Sequence, residues 1–260
     1  MTTTRTLIPE RPGRVFRLGR HQEWDERNHL YHVRRTGTVV DVDHTATGLP
    51  LNQGSVGSCT ANALCGALNL APDFAPPAKT EADATALYKR ETCDEGTCFD
   101  GTGGDSTDIG GTSLAVCKAG MELGWLSGYN WATDLNSALL ALDQRPVITG
   151  VNWYDSFDTP DANGVISISA NASVEGGHEI VARQIVTASQ LVGFWNSWGS
   201  TWGPLGGMFY MSYATWERLL GEGGDCAQPL PISQPAPTPS PTPPAPSPGG
   251  CASLLTLGLL

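Results

Sequence analysis

The sequence predicts an α+β protein in which helices occupy the first half of the folded body and strands the second. Residues that favour helix N-caps recur in the first half, at Ser58, Thr80 and Asp134. Short runs rich in valine, isoleucine and aromatic residues follow, separated by Gly, Asn and Asp. This order favours a helical layer and a β layer with a cleft between them.

The predicted elements follow from local patterns. The first helix begins at Cys59 and places Leu64 and Leu68 four residues apart on one face. The other predicted helices cover residues 81–90, 111–124 and 134–142, the last ending before Pro146. The predicted strands cover residues 147–151, 165–169, 179–186, 190–195 and 208–211.

Composition sets the domain boundaries. Residues 1–45 carry many charges and little apolar periodicity, so we interpret them as an N-terminal extension that wraps the domain or acts as a short pro-segment. The folded domain is predicted to cover residues 46–226. Residues 227–250 are rich in proline and cannot form a packed core, so they are predicted to be an extended linker. Residues 251–260 are a short apolar tail, and the linker and tail together could dock on a partner.

The overall charge excludes several classes of protein. The chain of 260 residues has a net charge of −11, and binding to nucleic acid or to anionic membranes requires a basic surface. The N-terminus lacks the apolar region of a secretory signal, and the tail is too short to span a bilayer. We therefore expect a soluble protein, cytoplasmic or phage-associated.

Neither a metal nor a cofactor is expected. The seven cysteines form no C-x-x-C pair, and no histidine lies near them at zinc-ligand spacing. Cys93 and Cys98 bracket a short loop and could pair in an oxidising compartment, whereas in a reducing cytosol they would stay free thiols. The acidic residues of the same region are predicted to be solvated rather than to bind calcium: Asp94, Glu95, Asp100, Asp105 and Asp108.

Three residues form a candidate catalytic set. Cys59 follows a glycine-rich turn and opens a helix, whose N-terminal N–H groups stabilise a thiolate. His178 is the only histidine after Cys59, and it starts an apolar strand that could hold it rigidly. Asn196 is a polar amide between tryptophans, which implies a shielded hydrogen bond of the kind that orients an imidazole.

The sequence around these residues resembles the papain-like cysteine peptidases. Three segments carry the resemblance: Gln53-Gly-Ser-Val-Gly-Ser-Cys59, Gly177-His178, and Asn196-Ser-Trp-Gly-Ser-Thr-Trp-Gly203-Pro-Leu-Gly-Gly207, the last being the most specific. The resemblance implies a two-lobe fold, with the Cys on the helical lobe and the His and Asn on an antiparallel, β-barrel-like lobe. It implies hydrolysis of a polypeptide substrate through a thioester acyl-enzyme, as in a cysteine endopeptidase.

The resemblance also implies roles for individual residues. Gln53 would donate its side-chain amide to the oxyanion, and Trp198 would shield the His178–Asn196 hydrogen bond. Gly110 and Gly111 would line the substrate cleft. Gly150 and Glu179 would line the pocket for the second substrate residue before the cleaved bond. A carboxylate there would favour Lys or Arg, unless Glu179 turns outward into solvent.

Two departures from the family pattern point to its compact bacterial or phage-type branch. Val56 stands where the family has a disulfide cysteine, and Thr60 stands where it has an aromatic residue. Two other functions remain open. A Cys–His cell-wall amidopeptidase would share the chemistry and differ in substrate. A catalytically inactive papain-like module would only bind, but such modules usually lose the Cys or the His.

Overall fold

Five α-helices and nine strands form the part of the chain that the computed structural model describes, residues 3–33 and 37–232. The helices are α1 Cys59–Leu68, α2 Glu81–Asp94, α3 Ser113–Glu122, α4 Leu135–Leu142 and α5 Tyr213–Gly221. The strands are β1 Thr3–Thr6, β2 Gln22–Asp25, β3 Val42–Asp43, β4 Leu126–Ala132, β5 Val147–Tyr154, β6 Val174–Val186, β7 Leu191–Trp195, β8 Met208–Ser212 and β9 Asp225–Pro231. The predicted α+β class is confirmed.

The helices begin where their capping residues end the preceding loops. Thr80 and Asp83 form a reciprocal capping box at the start of α2, and Asp134 forms one with Ser137 at α4. Helix α3 starts after Thr112, whose side chain accepts the Ala115 N–H, and not at the predicted residue 111. Helix α1 begins at Cys59 as predicted, although the side chain of Ser58 makes no capping hydrogen bond.

The large sheet is antiparallel and has the strand order β4-β9-β5-β6-β7-β8, with β3 paired to β6. One predicted strand, 165–169, is wrong. Val165 forms an isolated bridge with Tyr210, and the Ile166 N–H donates to the Tyr210 carbonyl. The next carbonyl, that of Ser167, instead accepts from the Ser156 hydroxyl. Local side-chain hydrogen bonds of this kind compete with strand pairing.

Strand β9 lies across the predicted domain boundary at residue 226. It pairs with β4 through Pro231, so the folded body extends into the proline-rich run. The prolines are tolerated because pairing with β5 ends at Ala227. Beyond that residue β9 pairs with β4 alone among the described strands. On its unpaired side a missing proline N–H breaks no hydrogen bond of the sheet. Residues 233–260, including Cys251 and the rest of the predicted linker and tail, lie outside the described residues.

Two hydrophobic cores divide the molecule into lobes. One is built around α1, α2 and α3, with Leu64 and Leu87 fully buried. The other lies within the sheet and is rich in aromatic residues, among them Trp153, Phe194 and Phe209. Helix α1 packs against β6 at the junction of the lobes, which brings its first residue beside that strand.

Of the two states left open for Cys93 and Cys98, the structure has the disulfide, which joins the end of α2 to the following loop. Cys59, Cys65, Cys117 and Cys226 are free and buried. None of the helices within 3–33 and 37–232 combines the length and the apolar character that crossing a membrane requires.

Candidate active site

Cys59 lies at the first position of α1 and is completely buried. Burial raises the pKa of its thiol well above the ordinary value, and any charge on the nearby Glu179 carboxyl would act in the same direction. Hydrogen bonds from the backbone of Glu179 and Thr60 oppose this shift. Since Glu179 directly follows His178 on β6, these contacts place the start of α1 beside the strand that carries the predicted base, at the junction of the lobes.

The orientation of His178 is set by Asn196. The His178 Nε2 lies 2.7 Å from the Asn196 Oδ1, which also accepts the Ser197 N–H. Because that oxygen can only accept, Nε2 carries the proton and Nδ1 keeps its lone pair. Nδ1 is buried and has no hydrogen-bond partner among the described residues. The imidazole therefore presents an unengaged basic nitrogen.

Two tryptophans enclose this histidine. Trp198 stacks on the imidazole with ring centroids 4.7 Å apart, and Trp153 meets it edge-on at 4.9 Å. Burial lowers the pKa of His178 to about 3, and the hydrogen bond with Asn196 acts in the opposite direction. In this arrangement both the thiol and the imidazole are held in their neutral forms.

Gln53 lies between the two lobes. Its Oε1 accepts from the Ser197 hydroxyl at 2.6 Å, which fixes the amide so that Nε2 points the other way. Nε2 donates to the Val56 carbonyl at 2.9 Å and to the Leu18 carbonyl at 3.3 Å. The residue predicted to bind an oxyanion is thus already bonded to a carbonyl oxygen of the chain's own N-terminal region.

Asp108 tethers the loop that precedes the nucleophile. It accepts the Gly57 N–H at 2.9 Å and the Tyr88 hydroxyl at 2.8 Å, and it pairs with Arg17 at 3.1 Å. The prediction that this aspartate is solvated is wrong, because its side chain is fully buried. Asp108 thus anchors the loop at Gly57, next to Val56, the position where the sequence lacks a disulfide cysteine.

Residues 17–21, which we call the cleft segment, run between the two lobes. The Gly111 N–H donates to the Gly19 carbonyl, and the His21 N–H donates to the Gly111 carbonyl. On the other side, the Arg20 N–H donates to the Gly177 carbonyl at 2.9 Å. The predicted N-terminal extension therefore includes a stretch that is bonded to both walls of the cleft.

The fit of the cleft segment depends on glycine. A Cβ on Gly19 would lie 2.2 Å from the Gly57 carbonyl oxygen, and one on Gly110 would lie 2.1 Å from the Gly19 oxygen. A Cβ on Gly177 would likewise lie 2.2 Å from the Arg20 carbonyl oxygen. Trp198 adds a hydrogen bond from its indole to the Arg17 carbonyl at 2.9 Å. The predicted cleft residues Gly110, Gly111 and Trp198 thus meet polypeptide, in the form of the chain's own segment.

Gly150 and Glu179, which are predicted to line a substrate pocket, lie opposite each other on β5 and β6, and the space beside them is closed. Glu179 is fully buried, so the alternative in which it turns outward is wrong. Asp225, at the start of β9, and Ser113, at the start of α3, complete the pocket, and Arg20 of the cleft segment fills it.

Sequence reasoning missed several of the residues that shape the site. Asp225 lies just before the predicted boundary, and Ser113 lies within a predicted helix, so neither carries a local signal. Arg20 belongs to a region judged to lack pattern. Within the described chain, no group of three His, Cys, Asp or Glu side chains is arranged to hold a metal ion.

Comparisons with known proteins connect this chain to a fold through structure alone. No protein-family model and no curated protein sequence matches it. Among solved structures, xylellain, a cysteine protease from Xylella fastidiosa, is similar with a TM-score of 0.65 and 18% identity, covering 88% of this chain and 100% of xylellain. Digestive procathepsin L 3 of the Tenebrio molitor larval midgut has a TM-score of 0.54 and 17% identity, with 77% of this chain and 72% of that chain covered.

A third similar structure is the proform of the Amb a 11 cysteine protease, a major ragweed pollen allergen. Its TM-score is 0.52 at 16% identity, and the match covers 76% of this chain and 67% of that chain. The structural neighbours of this chain are thus papain-like cysteine proteases. The predicted papain-like fold is confirmed.

Proposed function

We propose that this protein is a cysteine endopeptidase in which Cys59 is the nucleophile, His178 the general base and Asn196 the residue that orients the base. One observation carries the proposal. The Nε2 of His178 is engaged by Asn196, its buried Nδ1 has no hydrogen-bond partner among the described residues, and α1, which begins at Cys59, packs against the strand that carries His178. A nucleophile, a base and an orienting group in this order activate a thiol.

The reaction would follow from these positions. The Cys59 thiol gives its proton to His178 Nδ1, and the thiolate attacks the carbonyl carbon of the scissile peptide bond. The Gln53 amide and the Cys59 backbone N–H stabilise the resulting oxyanion. His178 then donates the proton to the leaving amine, which departs and leaves a thioester. Water, deprotonated by His178, hydrolyses the thioester and releases the thiol.

In this proposal the cleft segment keeps the enzyme inactive until it moves. Cys59 has no exposed surface, and the Leu18 carbonyl occupies the amide donor of Gln53. Burial also favours the neutral thiol and imidazole, whereas a thiolate and an imidazolium need water or substrate dipoles around them. Two of the similar structures are, by description, a procathepsin and a proform, which supports the interpretation of residues 1–45 as a pro-segment.

Hydrolysis of a labelled casein tests the proposal. The wild-type protein should hydrolyse it after the cleft segment is loosened, and both Cys59→Ala and His178→Ala should lose the activity while keeping their circular dichroism spectra. Cys65→Ala is the matched control, because it removes another buried cysteine of the same helix and should retain activity. Activity that survives in a folded Cys59→Ala variant would refute the proposal.

Assays with other substrates and with peptide binding distinguish the other two functions. Release of amines from peptidoglycan stem peptides without casein hydrolysis would favour the cell-wall amidopeptidase. Binding of peptides without turnover of either substrate would favour the inactive module.

A further inference from the structure

Trp153 lies beside the imidazole of the proposed base, and the register of the sheet explains its place. Val151 of β5 is directly opposite His178 of β6, and Trp153, two residues further along β5, is opposite Gly176. Side chains two residues apart point to the same face of a sheet. Because Gly176 has no side chain, the indole of Trp153 can lie diagonally across towards His178, where it is fully buried.

The distances among three rings show which part of the imidazole meets Trp153. The centroids of His178 and Trp198 are 4.7 Å apart in a stack, and the Trp153 centroid is 4.9 Å from the first and 5.1 Å from the second. If Trp153 lay on the opposite face of the imidazole, its distance from Trp198 would be close to the sum of the other two. The indole therefore lies at the edge of the imidazole, where an aromatic ring carries its positive partial charge.

Asp158 holds the indole of Trp153 in this position. A short turn, Asp155–Phe157, returns the chain to the end of β5. The Trp153 indole N–H then donates to Asp158 Oδ1 at 2.8 Å. The backbone carbonyl of Asp158 accepts from the indole of Trp202 at 3.2 Å, and that ring packs on Trp198 with centroids 5.3 Å apart. Asp158 is thus bonded to two tryptophans of the cluster that encloses the imidazole.

The N-terminal region binds the same carboxylate oxygen. The Nη2 of Arg14 donates to Asp158 Oδ1 at 2.7 Å, so a guanidinium and an indole share one acceptor. Burial is the main cause of the lowered pKa of His178, and the positive charge of Arg14 adds to it. If Arg14 leaves with the cleft segment, Oδ1 is left to Trp153 alone. A hydrogen bond to an unshared anion polarises its donor more strongly, which makes the rest of the indole more negative beside the imidazole.

We propose that Asp158 is a positioning residue of this site: through the indole of Trp153 it holds the imidazole of His178 and stabilises that ring when it is protonated. The inference rests on the proposed function for one point, namely that His178 takes a proton during the reaction. A negatively polarised indole favours a positive charge on the ring next to it, by the electrostatics of a cation–π contact. Because Arg14 shares Oδ1 while the cleft segment is docked, docking restrains the base as well as covering the thiol.

A double-mutant cycle tests whether Asp158 acts through Trp153. Every protein is the full chain with Leu18→Ala, which removes a buried side chain of the cleft segment, and Arg14→Ala, so that Asp158 no longer helps to hold the N-terminal region. Asp158→Ala and Trp153→Phe should each lower kcat on a fluorogenic peptide roughly 2- to 30-fold and leave KM nearly unchanged. The double variant should lose no more than the worse single variant, since both remove one hydrogen bond. Losses that multiply in folded proteins, or a change in KM alone, would overturn the proposal.

Two further variants separate positioning from a general effect on the loop. Asp158→Asn keeps an acceptor for the indole N–H and should recover part of the activity that Asp158→Ala loses. The matched control is Asp161→Ala, because Asp161 is a carboxylate of the same loop whose hydrogen bonds go to the backbone N–H groups of Asn163 and Val165, both at 2.8 Å. This control should leave kcat unchanged. An equal loss of kcat in Asp161→Ala and Asp158→Ala would show that only the order of the loop matters and would overturn the assignment.

NMR of the His178 ring separates failure of this inference from failure of the proposed function. The same full-chain background carries Cys59→Ala in addition and isotope-labelled histidine, and the ring nitrogens are followed over pH. Asp158→Ala should lower the pKa of His178, and Asp161→Ala should leave it unchanged. An unchanged pKa together with an unchanged kcat would refute the role of Asp158 and keep the peptidase. A lowered pKa in a protein that hydrolyses no peptide would refute the peptidase and keep the role of Asp158.

Discussion

Replacing Leu18 with alanine should open the cleft without unfolding the protein. Leu18 is fully buried at the centre of the cleft segment, and its Cδ1 fills the space beside Gly176. Removing a buried leucine side chain costs about 2 to 4 kcal/mol. If Leu18 is solvated when the segment leaves, that cost falls on the docked state. The open population should then rise roughly 30- to 1000-fold, at about 1.4 kcal/mol for each factor of ten.

The rate at which iodoacetamide labels Cys59 reports this population, provided that the segment recloses faster than the reagent reacts. The chain contains its own controls for global unfolding in the buried cysteines Cys65, Cys117 and Cys226. Mass spectrometry of the peptides should show that Leu18→Ala accelerates labelling of Cys59 alone. Leu7→Ala, at an exposed leucine of the same N-terminal region, should change nothing.

Two results would refute this reasoning. Labelling of Cys59 at the wild-type rate in a folded Leu18→Ala variant would show that the cleft segment does not control access to the thiol. Equal acceleration at all four cysteines would show that the substitution acts through global unfolding.

Three further expectations follow from the site and its supports. Asn196→Ala should lower kcat by up to about 100-fold and leave KM nearly unchanged, because Asn196 is proposed to orient His178 and not to contact substrate. Steady-state kinetics in which only KM changes would contradict this prediction. Truncation after Cys226 should lower the melting temperature by roughly 10 °C or more, since it removes most of β9, whereas truncation after Ile232 should have little effect. Calorimetry on both truncated proteins tests this position of the domain boundary, and equal melting temperatures would contradict it. Burial raises the pKa of Glu91 to about 8. The stability that its protonated form provides is therefore complete below about pH 4.3 and is lost as the pH rises to about 8. Glu91→Gln should gain stability relative to wild type across that range of pH, and parallel pH profiles of the two proteins would exclude this effect.

Local patterns in the sequence predicted much of the fold. The starts of α2 and α4 were found because their caps, Thr80 and Asp134, act through side-chain hydrogen bonds with residues three positions away. Strands β4 and β9 were missed because glycine and asparagine interrupt the first and prolines interrupt the second. Those strands are stabilised by pairing with each other and with β5, which no local pattern records.

In the candidate site, too, residues with a distinctive local sequence were predicted and residues that meet only through the fold were not. Cys59, His178 and Asn196 each stand in a distinctive local sequence, and α1 packs against β6, which carries the histidine; their catalytic roles stay predictions. Asp225 and Arg20 could not be predicted, since they lie far apart in the chain and meet only through the fold. Asp108 was misjudged because an acidic, glycine-rich stretch is usually solvated, whereas here its carboxylate is buried against Gly57 and Tyr88.

The acyl-enzyme is the species that tests the central proposal most directly. A full-chain Leu18→Ala protein is mixed with an acylated amino acid p-nitrophenyl ester, quenched in acid within one turnover and analysed by mass spectrometry. We expect a mass increase equal to one acyl group, located on the peptide that contains Cys59 and removed by hydroxylamine as a thioester is. An acyl group on another residue, or ester hydrolysis at an undiminished rate in Cys59→Ala with no adduct, would contradict the assignment of Cys59 as the nucleophile.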